Sequence, residues 1–412
     1  MPPRSLLGWG MRVALALAIV WGGYWSTTRS LALSVFETDP DRALRLAPGD
    51  ARMAAALSRQ LLLTSPGPRG QRRAAGLAAQ ALERDPTAVQ AAATLGILAE
   101  AGGHVAMARR RFAYADLLSR RDLVTRLWLI EDAVRRGSTR EALHHYDIAL
   151  RTADVAGVLF PVLSAASSDP KVATELVRVM SGQPAWAEAF TVYAAGHGRD
   201  PEGTMRLFRR LQAAHIPVAP AARTALVDSL IRDGRFDAAW DYYATQHPGA
   251  DRRTSRPLEM AISDKPRSRL DWISSGAQDG ISVTMPRAAN GYLDYLIPPT
   301  ASGQLVAQLQ LLPPGSYRIE GRGRTGGQAG QPGPYWVLRC IPGYRELGRV
   351  DAPRPASGTA RFAGDFTVPA DCPAQLLAMI ARAPDDPAGI AGRIDEVFLR
   401  PAAHAPQEAL AD

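Results

Sequence analysis

Cysteine, lysine and asparagine are nearly absent from this chain of 412 residues. It has two cysteines, lysine only at Lys171 and Lys265, and asparagine only at Asn290. Two cysteines exclude a disulfide-dense miniprotein and a four-cysteine zinc site. With lysine this scarce, the 48 basic residues are almost all arginine; they face 40 acidic residues, for a net charge of +8. These arginines are spread along the chain rather than gathered in a stripe, so they read as codon composition and nucleic acid is not expected as a partner. Familiar catalytic signatures are missing too. There is no Gly-x-Ser-x-Gly elbow, no His-Glu-x-x-His and no Gly-Lys-Ser/Thr phosphate loop. Residues Gly321 to Gly326 do spell Gly-x-Gly-x-x-Gly. A glycine-rich stretch and then a strand follow, where a dinucleotide site needs a helix N-terminus. His144 and His145 are adjacent and point to different sides of a helix. His104, His197, His215, His247 and His404 show no ligand spacing, and Asp385-Asp386 reads as solvated charge in a proline-flanked loop. The expectation is a protein that is not an enzyme and has no metal or other cofactor.

What is present begins with an apolar N-terminus. Arg4 and Arg12 precede an uncharged run from Val13 to Thr28, and Leu6 to Trp25 reaches the ~20 residues a bilayer crossing needs if Arg12 snorkels to the headgroups. Trp9, Trp21, Tyr24 and Trp25 sit near its ends, as interfacial aromatics do. Residues 1–30 are therefore expected to be a signal-anchor. The chain would cross a bacterial inner membrane once, with its bulk in the periplasm. A cleaved signal peptide, cut near Ala32-Leu33-Ser34, is the alternative and leaves the protein periplasmic or secreted.

Residues 37–250 carry a 34-residue repeat. Leu95-Gly96, Gly103, Ala108, Phe112 and Ala115 recur as Leu129-Ile130, Gly137, Ala142, Tyr146 and Ala149. One step earlier stand Leu61-Leu62, Ala74, Ala78, Ala81 and Pro86. Asp41 to Pro48 looks like the end of a truncated repeat. Leu226-Val227, Gly234, Ala239 and Tyr243 recover the pattern, while Gly198, Gly203 and Leu207 follow it loosely. At these positions the segments resemble tetratricopeptide repeats. The resemblance implies an all-α solenoid of stacked helix pairs, whose groove takes a protein partner and performs no catalysis. Arg109-Arg110-Arg111 and Arg120-Arg121 read as solvated helix faces, with a basic groove lining as the alternative.

Residues 251–269 are rich in Arg, Ser, Pro and Asp and read as a linker. From 270 to 400, short alternating runs punctuated by glycine and proline predict an all-β sandwich. The expected strands are Leu270–Ile273, Ile281–Met285, Tyr292–Ile297, Gln304–Leu311, Ser316–Gly321, Tyr335–Cys340, Arg361–Val368, Ala374–Ala381 and Gly392–Leu399, with a tight turn at Asn290-Gly291. The tail 401–412 reads as disordered. Leu312-Pro313-Pro314-Gly315-Ser316-Tyr317-Arg318-Ile319, Phe366-Thr367-Val368-Pro369 and Ile394-Asp395-Glu396-Val397-Phe398-Leu399 resemble jelly-roll carbohydrate-binding modules and their galactose-binding-like relatives. That resemblance covers about a third of the chain and implies the fold more than a ligand. Such modules often hold a calcium near the last strand, which would draw in Asp395 or Glu396, but no oxygen cluster upstream completes a site.

If the β domain is exported, it meets an oxidising compartment, where Cys340 and Cys372 are expected to join; two buried thiols are the alternative. Strand alternation turns Tyr317, Ile319 and Gly321 inward and Arg318, Glu320 and Arg322 outward. It also turns Trp336 and Leu338 inward and Tyr335 and Arg339 outward. An open face carrying Arg318, Arg322, Tyr335 and Arg339 suits an anionic sugar, because arginine pairs bidentately with carboxylates. A plain polar sheet face is the alternative. The chain thus reads as a membrane-anchored envelope scaffold or adaptor, with a role in polysaccharide assembly or export. A carbohydrate-binding envelope protein is the second reading and an unrecognised enzyme the third.

Overall fold

The computed structural model describes residues 6–36, 38–258, 266–274, 280–285, 291–327, 333–384 and 386–402. The expected turn at Asn290, Asp385 and the tail from 403 onward lie outside them. Two compact units divide the chain, Met1–Leu159 and Phe160–Asp412.

Helices fill the first unit: α1 (Leu6–Val35), α2 (Pro40–Leu46), α3 (Ala51–Thr64), α4 (Pro68–Arg84), α5 (Val89–Ala101), α6 (Val105–Leu118), α7 (Leu123–Arg135) and α8 (Thr139–Thr152). The next helix, α9 (Ala156–Ala166), spans the division. The second unit continues with α10 (Pro170–Met180), α11 (Ala187–His197), α12 (Pro201–Ala213), α13 (Pro220–Arg232) and α14 (Phe236–Gln246). Aspartates start many of them. Asp39, Asp50, Asp122, Asp169 and Asp200 each accept a backbone N–H of the first turn. Three of these precede a proline, Pro40, Pro170 or Pro201, whose fixed φ suits the first helical position.

Helix boundaries repeat with the sequence pattern. Val89 and Leu123, and likewise Val105 and Thr139, stand 34 residues apart. Gly103 (φ 76°), Gly137 (φ 71°) and Gly234 (φ 71°) sit in left-handed conformation after α5, α7 and α13. After each glycine, the next N–H bonds back to Ala99, Ala133 or Leu230, closing the helix end. His215, at φ 57°, takes the same place after α12. Small residues at the repeat positions let helices touch: Ala74, Ala78, Ala81, Ala108, Ala115 and Ala149 are fully buried, as is the aromatic Phe112. At Gly96 a Cβ would come within 2.7 Å of the Phe112 ring, so only glycine permits this crossing.

The N-terminal anchor is corrected. No helix among the described residues is long and apolar enough to cross a membrane, which overturns the expected single-pass inner-membrane placement. Although α1 runs for 30 residues, the uninterrupted apolar stretch between Arg12 and Ser26 is only Val13 to Trp25, and it contains Gly22 and Gly23. That falls short of the ~20 mostly apolar residues a crossing requires. The end of α1 packs inside the first unit, where Ala32 is buried with Ala43 and Met53, while Leu15, Ile19 and Trp21 stay exposed.

The sandwich consists of β1 (Ile273–Ser274), β2 (Ser282–Thr284), β3 (Leu293–Ile297), β4 (Gly303–Gln310), β5 (Gly315–Thr325), β6 (Tyr335–Ile341), β7 (Arg345–Asp351), β8 (Ala360–Val368), β9 (Ala374–Ala381) and β10 (Ile390–Pro401). Sheet one has the order β1-β4-β9-β6-β7 and sheet two β2-β3-β10-β5-β8, all neighbours antiparallel. Their inner faces meet in one core containing Leu293, Ile319, Ile394 and Leu399 from sheet two and Val306, Trp336, Leu338 and Leu377 from sheet one.

Two differences from the expected strands have local causes. The edge strand β7 escapes sequence reading because Arg345, Glu346, Arg349 and Asp351 break its apolar alternation. Strand β5 runs on through Gly321 and Gly323 to Thr325. Added Cβ atoms there would lie 2.4 Å from the Glu396 carbonyl and 2.5 Å from the Arg393 carbonyl. The first glycines of the Gly-x-Gly-x-x-Gly pattern therefore serve close strand approach to β10.

Residues 251–258, within the expected linker 251–269, are tied to the sandwich. The Ser255 N–H donates to the Leu399 carbonyl at 2.9 Å, and the Leu399 N–H donates to the Ser255 hydroxyl at 2.9 Å. Arg252 Nε donates to the Leu311 carbonyl at 2.6 Å, and Trp272 Nε1 to the Arg256 carbonyl at 2.6 Å. Among the described residues, β10 has no pairing with β3 beyond Ile394. The Ser255 strap occupies that edge.

Candidate functional site

The outer face of sheet two presents a grid set by strand alternation and register. On β5, Tyr317 and Ile319 are buried, so Arg318, Glu320, Arg322 and Arg324 face out. On β10, buried Val397 and Leu399 leave Glu396, Phe398 and Arg400 outside, and on β8 buried Phe362 and Phe366 leave Arg361, Ala363 and Asp365 outside. Register aligns Asp365, Arg318 and Arg400 in one row, then Ala363, Glu320 and Phe398, then Arg361, Arg322 and Glu396.

Most of these charges satisfy one another. Arg318 donates to Asp365 at 2.9 Å and to Glu320 at 3.0 Å; hydrogen bonding to Asp365, and secondarily to Glu320, pushes its pKa up. Arg400 also bonds Glu320. Arg322 stands 3.8 Å from Glu396 and 3.9 Å from Asp395, and Arg393 bonds Asp395 at 2.9 Å. Asp395 and Glu396 are thus neighbours of arginines. Among the described residues no group of three His, Cys, Asp or Glu side chains is placed to hold a metal ion.

In the middle of the grid lies a hollow of about 500 Å³ lined by Glu320, Gly321, Arg361, Phe362, Ala363, Glu396, Phe398 and Arg400. Phe398 is 41% exposed there. Arg361 makes no ion pair among the described residues. Two carboxylates and two guanidinium groups balance, so the hollow offers donors and acceptors without net charge.

The four residues expected to share one face are divided. Arg318 and Arg322 stand on sheet two, whereas Tyr335 and Arg339 stand on β6 in sheet one, whose outer face points the other way. That second face is closed around Tyr335. Tyr335 is 6% exposed and packs with buried Ala307, Val337 and Ala378. The guanidinium groups of Arg349 and Arg382 lie 4.1 and 4.2 Å from its ring centre. Arg339 is half-buried beside this cluster. Phe398 and Arg361 were missed, although Val397 and Leu399 facing inward already put Phe398 outside; Glu320 stands outward as alternation predicted.

Cys340 and Cys372 form a disulfide with Cα atoms 5.5 Å apart, linking the end of β6 to the residue pair before β9. In the first unit, His145 is buried and His144 exposed. Arg126, 1% exposed, donates to His145 Nδ1 at 3.0 Å and pairs with Asp116. Arg109 bonds Asp132 at 3.0 Å, while Arg110, Arg111, Arg120 and Arg121 are exposed.

No protein-family model matches this chain. No curated protein matches it either. Among solved structures, the β part has carbohydrate-binding modules as neighbours. One, described as "CBM4 structure and function", is 14% identical over 36% of this chain and 95% of its own, with a TM-score of 0.28. The CBM22-1 xylan-binding domain of Xyn10C from Paenibacillus barcinonensis is 14% identical over 36% of this chain and 96% of its own, with a TM-score of 0.25. The human IFIT1 dimer with PPP-AAAA is 15% identical over 55% of this chain and 65% of its own, at 0.25.

Proposed function

We propose that the β-sandwich is a non-catalytic glycan-binding module whose site is the outer face of sheet two. The observation that carries this reading is the exposed Phe398 ring set in a hollow between Arg361, Glu320 and Glu396. A sugar ring places its C–H face on an aromatic side chain, while its hydroxyls donate to carboxylates and accept from guanidinium groups. One apolar platform with a few convergent polar groups is the composition of a small-ligand site. Because the charges in the hollow balance, the geometry favours a neutral glycan over the anionic one expected of a single face carrying Arg318, Arg322 and Arg339. The Cys340–Cys372 bond supports placing the module in an oxidising compartment.

Affinity electrophoresis of the full chain through gels containing xylan, mannan, galactan, β-glucan or polygalacturonate tests this. A neutral polymer should retard the chain and Phe398→Ala should release it. Retardation by polygalacturonate alone would restore the anionic reading, and retardation unaffected by Phe398→Ala would move the site elsewhere.

A second reading concerns the helices. The recurrence of helix starts at Val89, Leu123, Val105 and Thr139 supports a tetratricopeptide-like scaffold that holds a protein partner, with polysaccharide assembly as its setting. Crosslinking should then capture a partner that Phe398→Ala retains and that charge reversal at Arg110 and Arg111 loses. Loss with Phe398→Ala instead would assign the partner to the sandwich.

A further inference from the structure

The hollow on sheet two does not end at Phe398. On the other side of β10 lies a second hollow of about 480 Å³, lined by Thr254, Arg256 and Asp251 of the strap, by Pro248 and Gly249, and again by Phe398 and Arg400. The two depressions share those last two side chains. Each falls within the ~300–1,000 Å³ range of small-ligand sites. The strap makes the second one. By exchanging hydrogen bonds with Leu399, Ser255 takes the place beside the later part of β10, and so widens the floor by one strand position.

We propose that the two hollows are one groove running across the strands from Arg361 on β8, over Phe398, to Thr254 on the strap, and that its ligand is an internal stretch of a glycan chain. The inference rests on the glycan reading above and adds the path and length of the ligand. Three interstrand steps of ~4.8 Å give a floor roughly 14 Å long, more than one sugar ring covers. The groove is open rather than closed over its length, so a polymer can enter sideways without presenting an end. Chemistry differs along it. The β8 side offers Arg361, which has no ion pair among the described residues, with Glu320 and Glu396, and the strap side offers the Asp251 carboxylate, the Thr254 hydroxyl and backbone groups at Pro248 and Gly249. A chain seated on Phe398 therefore meets hydrogen-bonding groups in both directions.

The test uses the full chain and an oligosaccharide series, disaccharide to hexasaccharide, cut from whichever neutral polymer retards it most, with binding read by calorimetry. The affinity should rise about ten-fold between trisaccharide and hexasaccharide, the worth of one further charge-assisted hydrogen bond. Thr254→Trp, which fills the strap hollow, should remove that rise and leave trisaccharide binding unchanged. The milder Asp251→Ala should reduce it and serves where the tryptophan disturbs the strap. An affinity that levels off at the trisaccharide, or a rise that survives both substitutions, overturns the extended groove while leaving the glycan site at Phe398 standing. Failure of every polymer to retard the chain overturns both.

Discussion

Ser255 and Leu399 exchange two hydrogen bonds, one from each backbone N–H, across 144 residues of sequence. They turn a polar, proline-containing segment into an extra edge of sheet two. The Leu399 N–H has the Ser255 hydroxyl as its acceptor and both residues are buried. Ser255→Ala should therefore leave a buried donor unpaired and cost about 1–3 kcal/mol. Urea unfolding of the full chain measures this, with Ser255→Thr expected to recover most of the loss. An unchanged midpoint for the alanine variant would show that water replaces the hydroxyl.

Charge pairing on sheet two orders the arginines. Arg361→Ala should weaken glycan binding about ten-fold, as expected for one lost charge-assisted hydrogen bond. Arg318→Ala should do much less, since Asp365 and Glu320 already occupy that guanidinium group. Titration of both variants with the retarding polymer checks the ranking. The reverse order would mean that Arg318 leaves its partners for the ligand.

The disulfide closes a loop with a sequence separation of 32 residues. On the chain-entropy model, removing it by Cys340→Ala with Cys372→Ala should cost about 3–4 kcal/mol. Thermal unfolding followed by tryptophan fluorescence would report it, because Trp272 and Trp336 lie in the same core. Reduction of the wild-type chain should move the transition the same way.

Burial, followed by the Arg126 charge, pushes His145 down to about 4 from its ordinary 6.5. The folded state thus keeps this ring neutral where the unfolded chain binds a proton. Its contribution is complete above about pH 6.5 and declines as pH falls toward about 4. Helical stability measured by urea across that range should decrease with acid, and His145→Gln should flatten the slope. An equally steep slope in the variant would assign the acid sensitivity to other groups.

Left-handed positions after the helices make opposite predictions. Gly137→Ala should destabilise by about 1 kcal/mol, because a Cβ disfavours φ near 71°. His215→Gly should stabilise by a similar amount by relieving that conformation at φ 57°. Thermal melts of the two variants should shift in opposite directions.

Much of the local structure was legible. The alternation of Tyr317 to Arg322 and of Tyr335 to Arg339 placed each side chain on the proper side of its own strand. The recurring Gly103 and Gly137 fall just past the ends of α5 and α7. The apolar N-terminus misled, because Leu6 to Trp25 reaches the ~20 residues of a crossing only if Arg12 snorkels, and the stretch free of charge and strongly polar groups, Val13 to Trp25, is too short. The candidate face misled for a different reason. Arg322 and Tyr335 are separated by only one connection in sequence, yet β5 and β6 belong to different sheets.

Periodicities of two and of roughly four residues, capping by Asp39 or Asp200, and the left-handed freedom of Gly234 act within one or two turns of chain, and sequence alone determines them. Which strands become neighbours depends on pairing between distant segments. Only the tertiary structure put Arg361, Glu320 and Phe398 in one hollow, set Ser255 beside Leu399, and closed Tyr335 under Arg349 and Arg382. Alternation says that a side chain faces away from the core, but whether that face is open is decided by what else the fold packs against it.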